Sequence, residues 1–421
     1  MLSCVNSNVS IPRQTGWHNS KLIGLSGPKP KVQSPAMTPL APHYSRFRVS
    51  ERLLLTGHSH QAWPDVGFVA QQQAWLDAAE FVDAKWERAE AQAAKVRAGF
   101  ATLLGSPADE IALGQNTHEL VTRWMSALPL RERPRLVTTT GEFHSLRRQL
   151  DRLAEESLEV VKVPAAPVDT LAERLSATVN DRTAAVLVSS VLFETAEIVP
   201  GLALIASACD RAGVRLLVDA YHHLNVVPFD LHAMQLETAF VTGGGYKYCQ
   251  LGEGNAFLRV PAHDHLRPVL TGWFAEFGQK QSTHHDGVSY PHGAAAFMGA
   301  TYDPTSHYRA AAVFEFHRQQ GLDAARLRAI SRHQVSLLRT TFDAHDLDPR
   351  VAQVVGMPGE RRGGFLAIRA RDAAGLAAKL REHDVWSDAR GDLLRLGPAP
   401  YLGDDQLVAA IEILGRVVKG A

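Results

Sequence analysis

The chain is short of cysteine, has no long apolar run and carries no excess of charge, and each shortage removes a class of function. Three cysteines in 421 residues (Cys4, Cys209 and Cys249) cannot build a disulfide framework, and their spacing matches no zinc motif. A reducing compartment, and so a cytoplasmic location, is expected. No stretch approaches the roughly 18–20 consecutive apolar residues of a membrane helix, so no membrane role is expected. Lys and Arg number 44 against 44 Asp and Glu, a formal net charge of +0. A nucleic-acid partner would favour a basic excess, and none is expected. With 45% hydrophobic and 21% charged residues the chain is an ordinary globular one, of a length that suits two domains.

Acidic residues are also missing before Glu51, where Pro28, Pro30, Pro35, Pro39 and Pro42 gather among serines. Residues 1–42 read as a disordered extension or a mis-called start, with Met37 as the true initiator. An acid-poor, Ser-rich stretch also fits a transit peptide, but arginine is sparse before Arg46 and no amphipathic face appears. Residues 43–70 read as an N-terminal arm, 71–292 as a large domain and 293–421 as a small C-terminal domain.

From Gln71 the period is helical: Trp75, Ala79, Val82 and Trp86 recur at three- and four-residue steps, and a second run (Ala93, Val96, Phe100, Leu103) ends at Gly105. Apolar, β-branched runs at Arg135–Thr140, Leu158–Val163, Ala184–Val191, Arg215–Val218 and Ala239–Thr242 then alternate with helical ones. Leu202–Ala212 is a predicted helix with Gly213 as its cap. This alternation predicts an α/β fold: a large domain with a mainly parallel central sheet flanked by helices. Helices at Tyr308–Gln320, Asp323–Ala344 and Asp404–Val418, with short strands near Phe365–Ile368 and Leu393–Leu396, predict a smaller α+β domain.

In open α/β sheets the ligand sits beyond the carboxyl ends of the strands. There the chain places Gly114-Gln115-Asn116-Thr117-His118, Gly141-Glu142-Phe143-His144, Asp219-Ala220-Tyr221-His222 and Gly243-Gly244-Gly245-Tyr246-Lys247. The last is not a nucleotide P-loop, since Tyr248 stands where Ser or Thr would follow the lysine. Taken singly, Asp219 reads as a helix cap and Lys247 as a solvated lysine. Jointly they meet the needs of pyridoxal 5'-phosphate: a lysine for the Schiff base, a carboxylate for the pyridine nitrogen and a helix start for the phosphate.

Leu53–Pro64, Val218–Asp230, Tyr246–Leu258, Gly272–Phe274 and Leu394–Tyr401 resemble the corresponding segments of kynureninase, in the fold-type I, class V aminotransferase superfamily. The resemblance runs from about Leu53 to the C-terminus. It implies that Lys247 is the catalytic lysine, that Asp219 pairs with the pyridine nitrogen beside His222, and that Phe143 stacks on the ring. It implies further that Asn116, Thr117 and Tyr246 hold the phosphate, completed by Trp273 and Thr301 of a neighbouring subunit in a homodimer. Arg395 would grip the α-carboxylate of a small amino-acid substrate, a role suited to its planar fork. The implied reaction is hydrolysis of the Cβ–Cγ bond of kynurenine or 3-hydroxykynurenine, giving an aryl acid and alanine.

The chain departs from that pattern in two places. It reads Gly57-His58-Ser59-His60-Gln61 where kynureninases have Gly-Asn-Ser-Leu-Gly, and Leu146 stands where they carry aspartate. His58 and His60 are candidates for new substrate contacts, beside Ser59 as a further substrate-binding residue; His58 and His60 equally read as satisfied loop histidines. His284-His285-Asp286 and His292 lack a second ligand group, so no metal is expected. Rival readings are a class V aminotransferase or lyase on another amino acid, and a non-catalytic paralogue. A desulfurase needs a mobile thiol in the latter half, and no cysteine follows Cys249.

Overall fold

The computed structural model describes residues 40–276 and 288–420; Met37, most of the proline-rich extension and the His284–Asp286 run lie outside them. The chain enters through β1 (Leu53–Leu54) and continues into α1 (Val66–Phe81) and α2 (Lys85–Leu104). The large domain then alternates β2 (Ile111–Gly114), α3 (Thr117–Met125), β3 (Arg135–Thr139), α4 (His144–Glu155) and β4 (Glu159–Val163). It continues through α5 (Leu171–Thr178), β5 (Thr183–Ser189), α6 (Leu202–Ala212), β6 (Arg215–Asp219), β7 (Phe240–Gly244) and β8 (Ala256–Arg259).

These strands form one sheet in the order β2-β8-β7-β6-β5-β3-β4, parallel throughout except that β8 runs against both neighbours. Side chains alternate across a strand. Val137, Val186, Val188, Val218 and Val241 therefore pack on one face with α2, α5 and α6 residues such as Phe100, Leu175 and Ile205. Leu136, Ala185, Leu187, Leu217 and Phe240 pack on the other with Leu120, Trp124 and Leu150 of α3 and α4. Both faces are covered, which is why these strands read as continuous apolar runs. Helix α6 has the predicted bounds, ending at Gly213 with φ 61°.

The Trp75–Trp86 stripe, by contrast, faces the core only at Trp86, which packs against Ala74, Ala89 and Tyr308. Trp75 is 78% exposed and Val82 67% exposed, and Val82 (φ 46°) ends α1 before α2 begins. The buried side of α1 is Gly67, Ala74 and Asp77, where Asp77 accepts a 2.7 Å hydrogen bond from the Tyr308 hydroxyl.

After the large sheet come α7 (Thr305–Gln319), α8 (Ala324–Asp343), β9 (Ala352–Val354), β10 (Leu366–Ala370), α9 (Ala373–Glu382), β11 (Val385–Trp386), β12 (Asp388–Arg390), β13 (Leu393–Leu396) and α10 (Asp404–Lys419). Helix α7 packs on α1 and α2; its Ala310 and Val313 join the large-domain core and its Phe316 the small-domain core. The small sheet is antiparallel, ordered β12-β13-β10-β9, with Leu338, Leu380 and Ile411 of α8, α9 and α10 in its core. Leu40, Tyr44, Val49 and Leu55 are buried in that same core, and β1 pairs with β11. The N-terminal segment thus packs with the C-terminal one. Among the described residues no helix is long and apolar enough to cross a membrane.

Candidate active site

Because every large-sheet strand but β8 runs the same way, the carboxyl ends of β2, β3, β5, β6 and β7 collect at one edge. A cavity of about 290 Å³ opens there, lined by Asn116, Thr117, Phe143, Asp219, His222, Tyr246 and Lys247 among others. Seven residues singled out in the sequence are therefore brought together. Ser189, Phe193, Tyr221 and Gln149 also line the cavity. Ser189 ends β5, so the strand-end rule reaches it, but the apolar run continuing to Val191 hides where the strand stops.

Lys247 is buried, with Nζ 2.8 Å from His222 Nε2 and 5.0 Å from the centre of the Phe143 ring. Burial pulls its pKa down to about 7; the Asp219 charge opposes this and the Arg395 charge adds to it. Burial likewise drives His222 well below its usual value, so the imidazole stays neutral. A neutral amine is the form that attacks an aldehyde. Cofactor uptake by the apoprotein should accordingly accelerate as pH rises through about 7 and level off above it. Stopped-flow absorbance against pH measures this, and a midpoint near the ordinary lysine value would contradict the burial argument.

Asp219 Oδ1 accepts a 2.8 Å hydrogen bond from the Tyr221 N–H. Burial raises its pKa, while that bond and the Lys247 charge hold it down. A protonated pyridine nitrogen would relieve the cost of this buried charge. At the other wall Asn116 caps α3 by accepting from the Glu119 N–H at 2.9 Å, so the positive end of a helix dipole faces the cavity. The three glycines before Tyr246 have a steric reason: a Cβ on Gly244 would lie 2.5 Å from the Tyr221 hydroxyl, and one on Gly245 2.6 Å from Leu251. Neutral amine, carboxylate, aromatic face and helix start fit pyridoxal 5'-phosphate, with Lys247, Asp219, Phe143 and the Asn116–Thr117 turn as the groups that would hold it.

The remaining candidates stand apart from this cavity. Trp273 is 55% exposed and Thr301 is also exposed; neither lines it. Ser59 is half-buried, its hydroxyl 3.2 Å from His60 Nδ1. His60 stacks on Tyr246 with ring centres 4.9 Å apart. His58 is fully buried against Phe365, with Nε2 2.8 Å from Asp388 Oδ1. Arg395 is buried one layer behind the wall: it donates from Nε (2.9 Å) and Nη2 (2.5 Å) to the two oxygens of Asp388, and from Nη1 to the Phe193 carbonyl at 2.6 Å. Asp388 is the partner that sequence reasoning missed, because a lone Asp on a short strand carries no signal until its neighbours are known. Leu146 is buried and lines the cavity. Among the described residues no group of three or more His, Cys, Asp or Glu side chains is placed to hold a metal, and the His284–Asp286 run lies outside them.

The aminotransferase class-V family model matches residues 81–339, and the kynureninase C-terminal domain model matches 327–414. A kynureninase of Geobacillus thermodenitrificans is 24% identical over 344 residues, 77% of this chain and 78% of that one. An uncharacterized aminotransferase of Bacillus subtilis, YcbU, is 24% identical over 344 residues, 81% of this chain and 88% of that one. The cystine C–S lyase C-DES, solved as a mutant with glycine covalently linked to its PLP cofactor, superposes with a TM-score of 0.78 at 16% identity, covering 90% of this chain and 99% of that one. A cysteine desulfurase from Thermococcus onnurineus NA1 gives 0.74 at 16% identity, covering 89% and 96%. With the profile spanning most of the chain and the cavity supplying each group the cofactor requires, this chain belongs to the class V aminotransferase family and is a pyridoxal 5'-phosphate enzyme.

Proposed function

We infer that the enzyme hydrolyses the Cβ–Cγ bond of kynurenine or 3-hydroxykynurenine, consuming one water and releasing an aryl acid and alanine. The observation that carries this reading is the kynureninase C-terminal domain match over 327–414, the segment that includes Arg395. The bound cofactor supplies an electron sink for a carbanion next to the substrate nitrogen. Lys247, neutral at about pH 7, takes the α-proton and returns it, with His222 at 2.8 Å as its hydrogen-bond partner. Asp219 keeps the proton on the ring nitrogen. Arg395 anchors the α-carboxylate, and Phe193, Val191, Val121 and Leu146 offer an apolar wall to an aryl side chain.

The same reading takes the active form as a homodimer in which Trp273 and Thr301 complete the partner's phosphate site. Its support is that both lie outside their own cavity, and that Val269, Leu270 and Trp273 are exposed together. The cytoplasmic location belongs to it too, supported by Cys209 and Cys249 remaining free and buried. Burial raises both thiols to about 12, which argues against either serving as a desulfurase nucleophile.

A second reading, an aminotransferase or lyase on a different amino acid, is favoured by Leu146, whose apolar side chain replaces a carboxylate at the cavity wall. One assay separates the two. Holoenzyme given L-kynurenine or its 3-hydroxy form should release alanine and the aryl acid in equal amounts. An absorbance change with amino acids but no alanine would reject the hydrolase and retain the second reading.

A further inference from the structure

The fork of Arg395 already holds a carboxylate. Asp388 and Arg395 are directly opposed register partners on β12 and β13, and the contact is bidentate, from Nε and Nη2 to the two carboxylate oxygens. That is the geometry in which an arginine takes a substrate carboxylate. The Phe193 carbonyl occupies Nη1. Three of the five guanidinium donors are thus engaged within the protein.

The two partners are not equally fixed. The Arg395 side chain is 3% exposed and that of Asp388 19%. Arg395 sits on an inner strand, whereas Asp388 begins a three-residue strand at the sheet edge. Asp388 also has two other cationic or donor neighbours: His58 Nε2 at 2.8 Å and Arg390 Nη2 at 3.6 Å. Burial works against the Asp388 charge, but the bonds and charges of His58 and Arg395 outweigh it and hold the carboxyl far below its ordinary range. It is an anion with somewhere else to go.

We propose that Asp388 is an internal competitor for the substrate's carboxylate: it occupies Arg395 in the free enzyme and is exchanged onto His58 and Arg390 when a substrate carboxylate arrives. Asp388 thereby sets how strongly the site discriminates carboxylates, and the His58 that departs from the kynureninase pattern serves to catch it rather than to touch substrate. The exchange is only of ion pairs and hydrogen bonds; no covalent bond is made or broken. It rests on the reading of Arg395 as the carboxylate anchor.

The holoenzyme is titrated calorimetrically with propionate, a carboxylate without the amine, and with ethylamine, an amine without the carboxylate. Asp388→Asn keeps the shape but removes the competing charge, leaving a buried cation that seeks an anion. Its propionate Kd is expected to fall about tenfold, with ethylamine gaining nothing, and Asp388→Glu should restore wild-type binding. Asp388→Ser, with the same expectation, serves if the amide variant fails to fold. Unchanged or weaker propionate binding in folded variants overturns the competitor role and leaves Asp388 a cross-strand ion pair. Equal tightening for both probes also overturns it, since a general opening of the site would then be responsible. Wild-type propionate affinity in Arg395→Gln removes the anchor itself, and the inference falls with it.

Discussion

Replacing Lys247 by alanine is expected to cut turnover by about 10⁴-fold or more while the protein stays folded. The side chain has two duties at one atom. In the proposed reaction its neutral amine would attach the cofactor aldehyde, and the same nitrogen would carry the α-proton; positioned proton transfer alone is worth about 10²–10⁴-fold. The structural cost is small by comparison. Lys247 Nζ has His222 Nε2 as its hydrogen-bonded partner, and leaving that buried nitrogen alone costs about 1–3 kcal/mol. The variant should therefore unfold cooperatively in denaturant and lose the visible absorbance of the covalently held cofactor. Wild-type turnover in a folded Lys247→Ala protein would remove the catalytic assignment of Lys247.

A second large effect is expected in acid. His58, His223, His307 and His317 are buried, and burial lowers each to about 4. Their folded values lie below the unfolded value near 6.5, so the stability they contribute is complete above pH 6.5 and is lost as pH falls towards 4. Two buried groups, Asp219 and Glu142, work the other way. Burial raises Glu142 to about 7 against hydrogen bonds from Ser189 and Thr139, so its contribution grows as pH falls from 7 towards 4.5. Five protons taken up on unfolding, His222 included, against at most two released give a net slope on the order of 4 kcal/mol per pH unit near pH 5. Stabilities of 5–15 kcal/mol are ordinary, so unfolding should set in between pH 5 and 4. Urea midpoints at pH 7.5, 6 and 5 test this, and His317→Gln should flatten the slope by about 1 kcal/mol per pH unit. An unchanged midpoint from pH 7.5 to 5 would refute it.

How much of the site is legible beforehand depends on the kind of signal each residue sends. Asp219 ends one strand and Lys247 follows another by three residues, both strands with unmistakable apolar runs, and a parallel sheet must bring such positions to one edge. Asn116 announces itself as a helix cap. Trp75 and Val82 mislead, because a helical period identifies an apolar stripe without saying what covers it; here they are exposed, and the core side of α1 is the unremarkable Gly67, Ala74 and Asp77. Strand β8 passes unseen since its reversal depends on the tight return through Gly252 and Gly254, both at positive φ.

Local pattern and simple order along the chain carried the alternation of strands and helices and the α/β class, and marked Lys247 and Asp219 as candidates for the cofactor lysine and its carboxylate. Tertiary structure alone decided which distant groups meet. It packed Leu40–Leu55 into the core of the C-terminal domain, buried His58 against Phe365, and joined His58, Asp388 and Arg395 into one chain of contacts behind the cavity wall. The physical reason is the range of the interactions. Strand and helix periods arise from backbone geometry over a few residues, so composition and spacing report them. An ion pair or a buried imidazole is fixed by whatever the packed core brings within about 3 Å, and residues 330 positions apart in sequence carry no mark of that meeting until the chain has folded.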